Sequence, residues 1–183
     1  SRGVDTSLFH PRSADLCLPM PVFLCVGRVA VEKNLEAFLD LDLPGTKLIV
    51  GDGPARAALE RKYPDAVFLG ARHGEELAEI YSAADIFVFP SKTDTFGLVL
   101  LEALASGLPV AAFPVTGPRD VVGVAPVGVL SDDLQAACMD ALQISPQACV
   151  AFAARHTWQA SARVFVEHAQ NIREAGSEDE LVD

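Results

Sequence analysis

The sequence predicts an α/β domain: a doubly wound parallel sheet of about six strands, followed by C-terminal helices. Three observations carry this. Short apolar runs alternate with segments of helical period from Val22 to Leu130. Runs such as Val22–Val26 and Ile86–Phe89 are apolar throughout rather than at every second position, as a sheet covered on both faces requires. Turn formers separate runs from helices, as in Gly51-Asp52-Gly53-Pro54.

Taken in order, Val22–Val26 is the first strand, broken by Gly27-Arg28. Apolar residues at 35, 38, 39 and 41 predict a helix over Asn34–Leu41, closed by the turn Leu43-Pro44-Gly45. Lys47–Val50 is the second strand. Pro54 opens a helix reaching Tyr63, since proline suits the first helical position. Val67–Leu69 is the third strand, and Glu75–Ala84 a helix with acids in its first turn. Ile86–Phe89 is the fourth strand, and the helix from Gly97 to Ser106 is closed by Gly107. Pro109–Phe113 is the fifth strand, Pro118–Val122 a short helix or turn, and Val127–Leu130 a sixth strand. Helices are expected over 132–144, 146–155 and 158–174.

The chain has 183 residues, enough for one domain with its own core, and 50% of them are hydrophobic, which excludes general disorder. No apolar run approaches the roughly 18 residues of a membrane span. The net charge of −11 argues against a nucleic-acid partner, which needs a basic face. Part of that charge sits in a tail where Glu174, Glu178, Asp179, Glu180 and Asp183 follow Arg173 with no base among them, and residues 176–183 are expected to be disordered. Cys17, Cys25, Cys138 and Cys149 form no metal or redox spacing and are expected to be free thiols of a cytoplasmic protein. His10, His73, His156 and His168 are scattered, so no metal is predicted. With no signal pattern and Ser1 at its start, the chain reads as part of a longer protein.

The most informative stretch is Ser91–Pro109, S-K-T-D-T-F-G-L-V-L-L-E-A-L-A-S-G-L-P. Asp94 stands on the loop after the fourth strand, and Glu102 inside the helix that follows. Glu102 lies about a turn and a half into that helix, and its side chain leans toward the N-terminus. Both carboxylates then address one volume above the helix start, which also receives free backbone N–H groups and the positive end of the helix dipole. Carboxylates accept from hydroxyls and helix N-termini bind phosphates, so a nucleotide sugar fits. An acid in the apolar context L-V-L-L-E-A-L-A needs a polar ligand or a cationic partner.

The D-T-F-G-L-V-L-L-E run resembles the motif of retaining glycosyltransferases of the group 1 (family 4) kind, with Asp where Glu is commoner at the first acid. Those enzymes place two Rossmann-like domains across a cleft, an arrangement called GT-B. The opening R-G-V-D-x-x-x-F-x-P and Trp158 also match, so the resemblance runs from Arg2 to about Ala175. It implies an interdomain linker over 1–20, a Rossmann-like donor-binding domain over 21–157 and a C-terminal helix over 158–175. The function implied is the donor-binding half of a retaining glycosyltransferase. It would transfer a sugar from a UDP- or GDP-sugar to an acceptor held by an N-terminal domain outside this chain. The implied enzyme is metal-independent, without a cofactor, and touches a membrane only through that other domain, if at all. This half is expected to be inactive by itself.

Ligands in such sheets bind beyond the carboxyl ends of the strands. After the first strand, Gly27 permits close backbone approach, Arg28 can fork onto phosphate oxygens and Lys33 adds a point charge. The resemblance assigns Arg28 and Lys33 to the donor diphosphate and, with Asp94, to catalysis. It makes Gly51 and Gly53 walls of the nucleotide pocket and brings the backbone at Ala71 and Arg72 to the base edge. The Arg72 side chain is left open between stacking, phosphate contact and solvation. Asp94 would accept from a sugar hydroxyl, Thr95, Phe96, Gly97 and Leu98 would present amides, and Glu102 would accept from both ribose hydroxyls. Asp52 reads as a turn residue, His73 as a surface or capping residue, Ser91 and Lys92 as ordinary loop residues, and Arg119 with Asp120 as a mutual pair. Three rival functions share the architecture. A nucleotide-sugar epimerase would need no acceptor. A dinucleotide dehydrogenase needs a G-x-G-x-x-G after the first strand, where this chain has G-R-V-A-V-E. A noncatalytic binding module would be favoured by loss of the carboxylate pair, which is present.

Overall fold

The computed structural model describes residues 3–93 and 97–158. Its sheet has six parallel strands in the order β3-β2-β1-β4-β5-β6: β1 Val22–Val26, β2 Thr46–Val50, β3 Val67–Gly70, β4 Ile86–Phe89, β5 Val110–Ala112 and β6 Gly128–Leu130. Between and after them run α1 Glu36–Leu39, α2 Arg56–Lys62, α3 Gly74–Ser82, α4 Leu98–Ala105, α5 Thr116–Val121, α6 Leu134–Ala141 and α7 Pro146–Ala153. The doubly wound α/β expectation holds.

The alternation of side chains along each strand builds two cores, one on each face. Leu24, Leu48, Phe87 and Val110 pack with Tyr81 of α3, Leu100 and Leu104 of α4 and Phe152 of α7. Their neighbours Phe23, Cys25, Ile49, Val88 and Ala111 face the other way, onto Phe38 of α1, Leu59 of α2 and Ala137 and Cys138 of α6. The continuous apolar character of the strands is thus the sum of two half-patterns. Val4 and Phe9 are buried too. Val4 N–H donates to the His156 carbonyl (2.9 Å), and the Phe9 ring meets Tyr81 edge-on with centroids 5.6 Å apart.

Helix ends are shorter than their patterns predict, and in one place the difference is substantive. The helix expected over Asn34–Leu41 is reduced to the single turn α1, and a 3-10 turn, Val31–Lys33, precedes it. Asn34 separates them in the left-handed region (φ 53°), which asparagine tolerates better than most residues. Its Nδ2 donates to the Pro90 carbonyl (3.0 Å), tying the segment after β1 to the end of β4. Elsewhere local chemistry suffices. Asp133 caps α6 by accepting from the Ala136 N–H (3.0 Å), and Pro146 opens α7. The helix from Pro54 starts two residues late, at Arg56. Arg119 and Asp120 are both exposed on α5, and as adjacent helical residues they diverge; no ion pair joins them among the described residues. All four cysteines are free thiols, with Cys17 exposed and the others buried.

Candidate functional site

Strand order reverses direction between β1 and β4, and such a switch point opens a crevice at the carboxyl ends of the strands. Three successive loops wall it on one side. Gly27 N–H donates to the Val50 carbonyl, and Gly51 N–H to that of Gly70, both at 2.9 Å, so the backbones after β1, β2 and β3 lie in contact. Glycine is required for this. A Cβ on Gly51 (φ 143°) would stand 1.8 Å from the Gly27 oxygen, and one on Gly53 would stand 2.3 Å from the Val29 oxygen. Gly27 differs: a Cβ there would meet nothing within 4 Å, so its bare face opens outward.

Two cations border the crevice. Among the described residues, the Arg28 guanidinium meets Glu32 at 3.6 Å, both side chains being more than half exposed. Pairs of that kind contribute about 0–1 kcal/mol, so the guanidinium is readily given up to a better anion. Lys33 ends the 3-10 turn that Asn34 pins against Pro90. Arg28, Lys33 and Gly27 line one cavity of about 100 Å³ with Cys25, Pro90, Ser91 and Val99. Burial pushes the Cys25 thiol up to about 12, so it faces the cavity as a neutral group, although Lys33 pulls the other way.

A neighbouring cleft of about 420 Å³ shares Val26, Gly27, Arg28 and Val99 with that cavity and extends to Gly51, Ala71, Arg72 and Glu102. Glu102 stands in the second turn of α4, whose first residues line the site. Burial raises its carboxyl above the usual range, partly offset by the Tyr81 hydroxyl, which donates to Glu102 Oε2 at 3.1 Å. Tyr81 is fully buried, and burial followed by the Glu102 charge raises its own hydroxyl well above its ordinary value. Its hydrogen bond orients one carboxylate oxygen and leaves acceptor capacity toward the cleft.

The structure therefore brings Gly27, Arg28, Lys33, Gly51, Ala71, Arg72 and Glu102 to one crevice. Gly97 caps α4 and Leu98 is its first residue. Gly53 acts behind the wall, against Val29. Asp94, Thr95 and Phe96 lie outside the described residues. Arg72 donates to the Ala71 carbonyl (2.9 Å) and stands 3.8 Å from Glu76. Asp52 accepts from the Gly53 N–H (2.7 Å), the turn role read from sequence. His73 is exposed and precedes α3 without a side-chain cap. Sequence reasoning missed three residues. Tyr81 reaches Glu102 from another helix, which no local spacing announces. Asn34 sits inside an apparent helical period, where its poor propensity was the available signal. Ser91, expected to be an ordinary loop residue, is buried at 2% exposure.

Residues 20–144 match the family described as "Glycosyl transferases group 1". The chain belongs to that family. The chain is 42% identical over 139 residues to a GDP-mannose-dependent alpha-mannosyltransferase of Mycobacterium tuberculosis, a match covering 71% of the chain and 37% of the relative. It is 38% identical over 136 residues to a sulfoquinovosyl transferase of Arabidopsis thaliana, covering 67% of the chain and 27% of that protein. Each match thus spans well under half of the curated relative. Among solved structures, sucrose-phosphate synthase from Thermosynechococcus elongatus superposes with a TM-score of 0.77 at 28% identity, covering 95% of this chain and 52% of that one. The glycosyltransferase resemblance and the GT-B type of fold read from the motif are borne out. No helix among the described residues is long and apolar enough to cross a membrane.

Proposed function

We propose that this chain is the donor-binding half of a retaining glycosyltransferase that uses a nucleoside-diphosphate sugar. One observation carries the reading: Arg28 and Lys33 on one side and Glu102 on another converge on a single crevice at the β1/β4 switch point. Two cations suit a diphosphate, and a buried carboxylate steered by Tyr81 suits the cis-diol of a ribose. The further negative charge that develops on the already anionic diphosphate as the sugar C–O bond breaks would be stabilised by Arg28, Lys33 and the N-terminal amides of α4, without a metal ion or cofactor. Asp94 would hold a hydroxyl of the transferred sugar rather than act as nucleophile. The donor we place first is GDP-mannose, on the 42% identity to a relative named for it, with UDP-sugars second. The acceptor and the remaining catalytic groups would belong to the parent protein outside this chain, which by itself would bind donor and transfer nothing. The setting is cytoplasmic, with any membrane contact made elsewhere in the parent protein.

Calorimetric titration of the chain with GDP, UDP and NAD in the presence of EDTA tests this. Saturable binding of GDP or UDP, weakened by about tenfold or more in both Arg28→Ala and Glu102→Ala, is expected. NAD binding without a response to either nucleotide would replace the reading with a dehydrogenase domain. Binding that EDTA abolishes would remove its metal-free part.

A further inference from the structure

Among the described residues, three buried side-chain atoms lack a hydrogen-bond partner: Arg12 Nε, Ser91 Oγ and Ser106 Oγ. Of these, Ser91 lines the cavity bordered by Arg28 and Lys33. An unpartnered buried hydroxyl is unfavourable and rare in folded proteins, and where one persists beside a cavity a ligand or water is the usual missing partner. The backbone here is held in place, because Asn34 Nδ2 binds the carbonyl of the preceding Pro90 at 3.0 Å and Phe89 pairs with Ala112 in the sheet. Ser91 is only 2% exposed, so its hydroxyl is not simply facing bulk solvent.

The remaining lining decides what the hydroxyl meets. Arg28 and Lys33 are donors without acceptor capacity, the neutral Cys25 thiol is only a weak acceptor, and the other residues around Ser91 bring no side-chain acceptor. A group entering this cavity therefore has to be rich in acceptors and negative. At about 100 Å³ the cavity is several times the roughly 10–15 Å³ that one water occupies on the same measure, room for more than a single solvent molecule. We propose that Ser91 is a donor-binding residue whose Oγ–H donates to a phosphoryl oxygen of the nucleotide, in the cavity that Arg28 and Lys33 border. This rests on the donor-site reading above and adds to it a neutral, buried donor in the cavity that the two cations border. Arg28 and Lys33 attract the diphosphate, whereas Ser91 fixes the register at which it stops.

The test is titration of wild type, Ser91→Ala and Arg28→Ala with GDP and with guanosine, together with the melting temperature of each unliganded protein. Ser91→Ala is expected to weaken GDP by about tenfold or more, the usual effect of losing a hydrogen bond to a charged group. It should leave guanosine, which has no phosphate, unaffected and should not lower the unliganded melting temperature, because no group among the described residues is bonded to the hydroxyl. GDP binding within about twofold of wild type, or an unliganded protein that melts several degrees lower, would overturn the proposal. If GDP binding depends on Arg28 but not on Ser91, Ser91 loses its role while the donor site stands. If wild type binds neither GDP nor UDP, the donor-site reading falls and Ser91 with it.

Discussion

The two ends of the sheet carry similar side chains and treat them in opposite ways. At the amino ends of β2 and β3 a polar hollow of about 260 Å³ is lined by Lys47, Lys62, Tyr63, Asp42 and Asp65. There the donors Lys47, Lys62 and Tyr63 are already matched. Lys47 Nζ donates to the carbonyls of Leu39 and Leu41, Lys62 pairs with Glu36 at 2.7 Å and the Tyr63 hydroxyl donates to Asp40. At the carboxyl ends, among the described residues, Arg28 has a loose contact with Glu32, Glu102 accepts from Tyr81 and the Ser91 hydroxyl has no partner. Both ends are concave and charged, so shape and charge do not distinguish them. The difference is hydrogen-bonding capacity left over after folding, and that capacity is what a ligand can use.

Breaking the wall of the carboxyl end should have the largest effect. Gly51→Ala places a Cβ against the Gly27 oxygen in a backbone conformation unfavourable to alanine. It is expected to destabilise by about 3 kcal/mol or more, which thermal unfolding would register as a fall of roughly 6–12 °C for a chain of this size. Arg28→Ala should do the reverse of what Lys47→Met does. The first is expected to weaken GDP by about 10–100-fold with little change in melting temperature, since its contact with Glu32 contributes about 0–1 kcal/mol. Lys47→Met strands two carbonyls and should lower stability by about 1–3 kcal/mol while calorimetry shows unchanged nucleotide affinity. Equal effects of both substitutions on binding would erase the contrast between the ends.

The smallest effect depends on pH. Burial holds the Glu102 carboxyl above its ordinary value of 4.5, so the folded protein keeps that proton over a range in which the unfolded chain has lost it. Stability from this group is present below 4.5 and falls as pH rises through the raised value. Glu102→Gln, neutral at every pH, should match wild type in melting temperature at acid pH and exceed it by a few degrees at pH 7, roughly 2–4 °C for each kcal/mol. Nucleotide affinity should fall in the same variant. A melting difference independent of pH would show that burial does not raise the carboxyl.

The sequence disclosed the fold well because its signals were local. Apolar runs, turn glycines and the proline and aspartate at helix starts each act over a few residues, and the structure returns them with shorter ends. The late start of the helix predicted from Asn34 goes with a left-handed Asn34 and its bond to Pro90, a tertiary contact that local spacing does not report. The same boundary divides the site. Arg28, Lys33 and Glu102 follow strands in a pattern readable along the chain, and they do meet. Tyr81 and Ser91 matter through burial and through distant partners, present or missing, which appear only once the chain is folded.

The most direct test is a backbone-amide NMR titration of the chain with GDP. Shift changes concentrated at Gly27, Arg28, Gly51, Ala71, Ser91, Val99 and Glu102, with Lys47, Tyr63 and Ala66 unmoved, are the predicted result. Changes centred on Lys47, Tyr63 and Ala66, or none at the carboxyl ends of the strands at saturating nucleotide, would contradict the account.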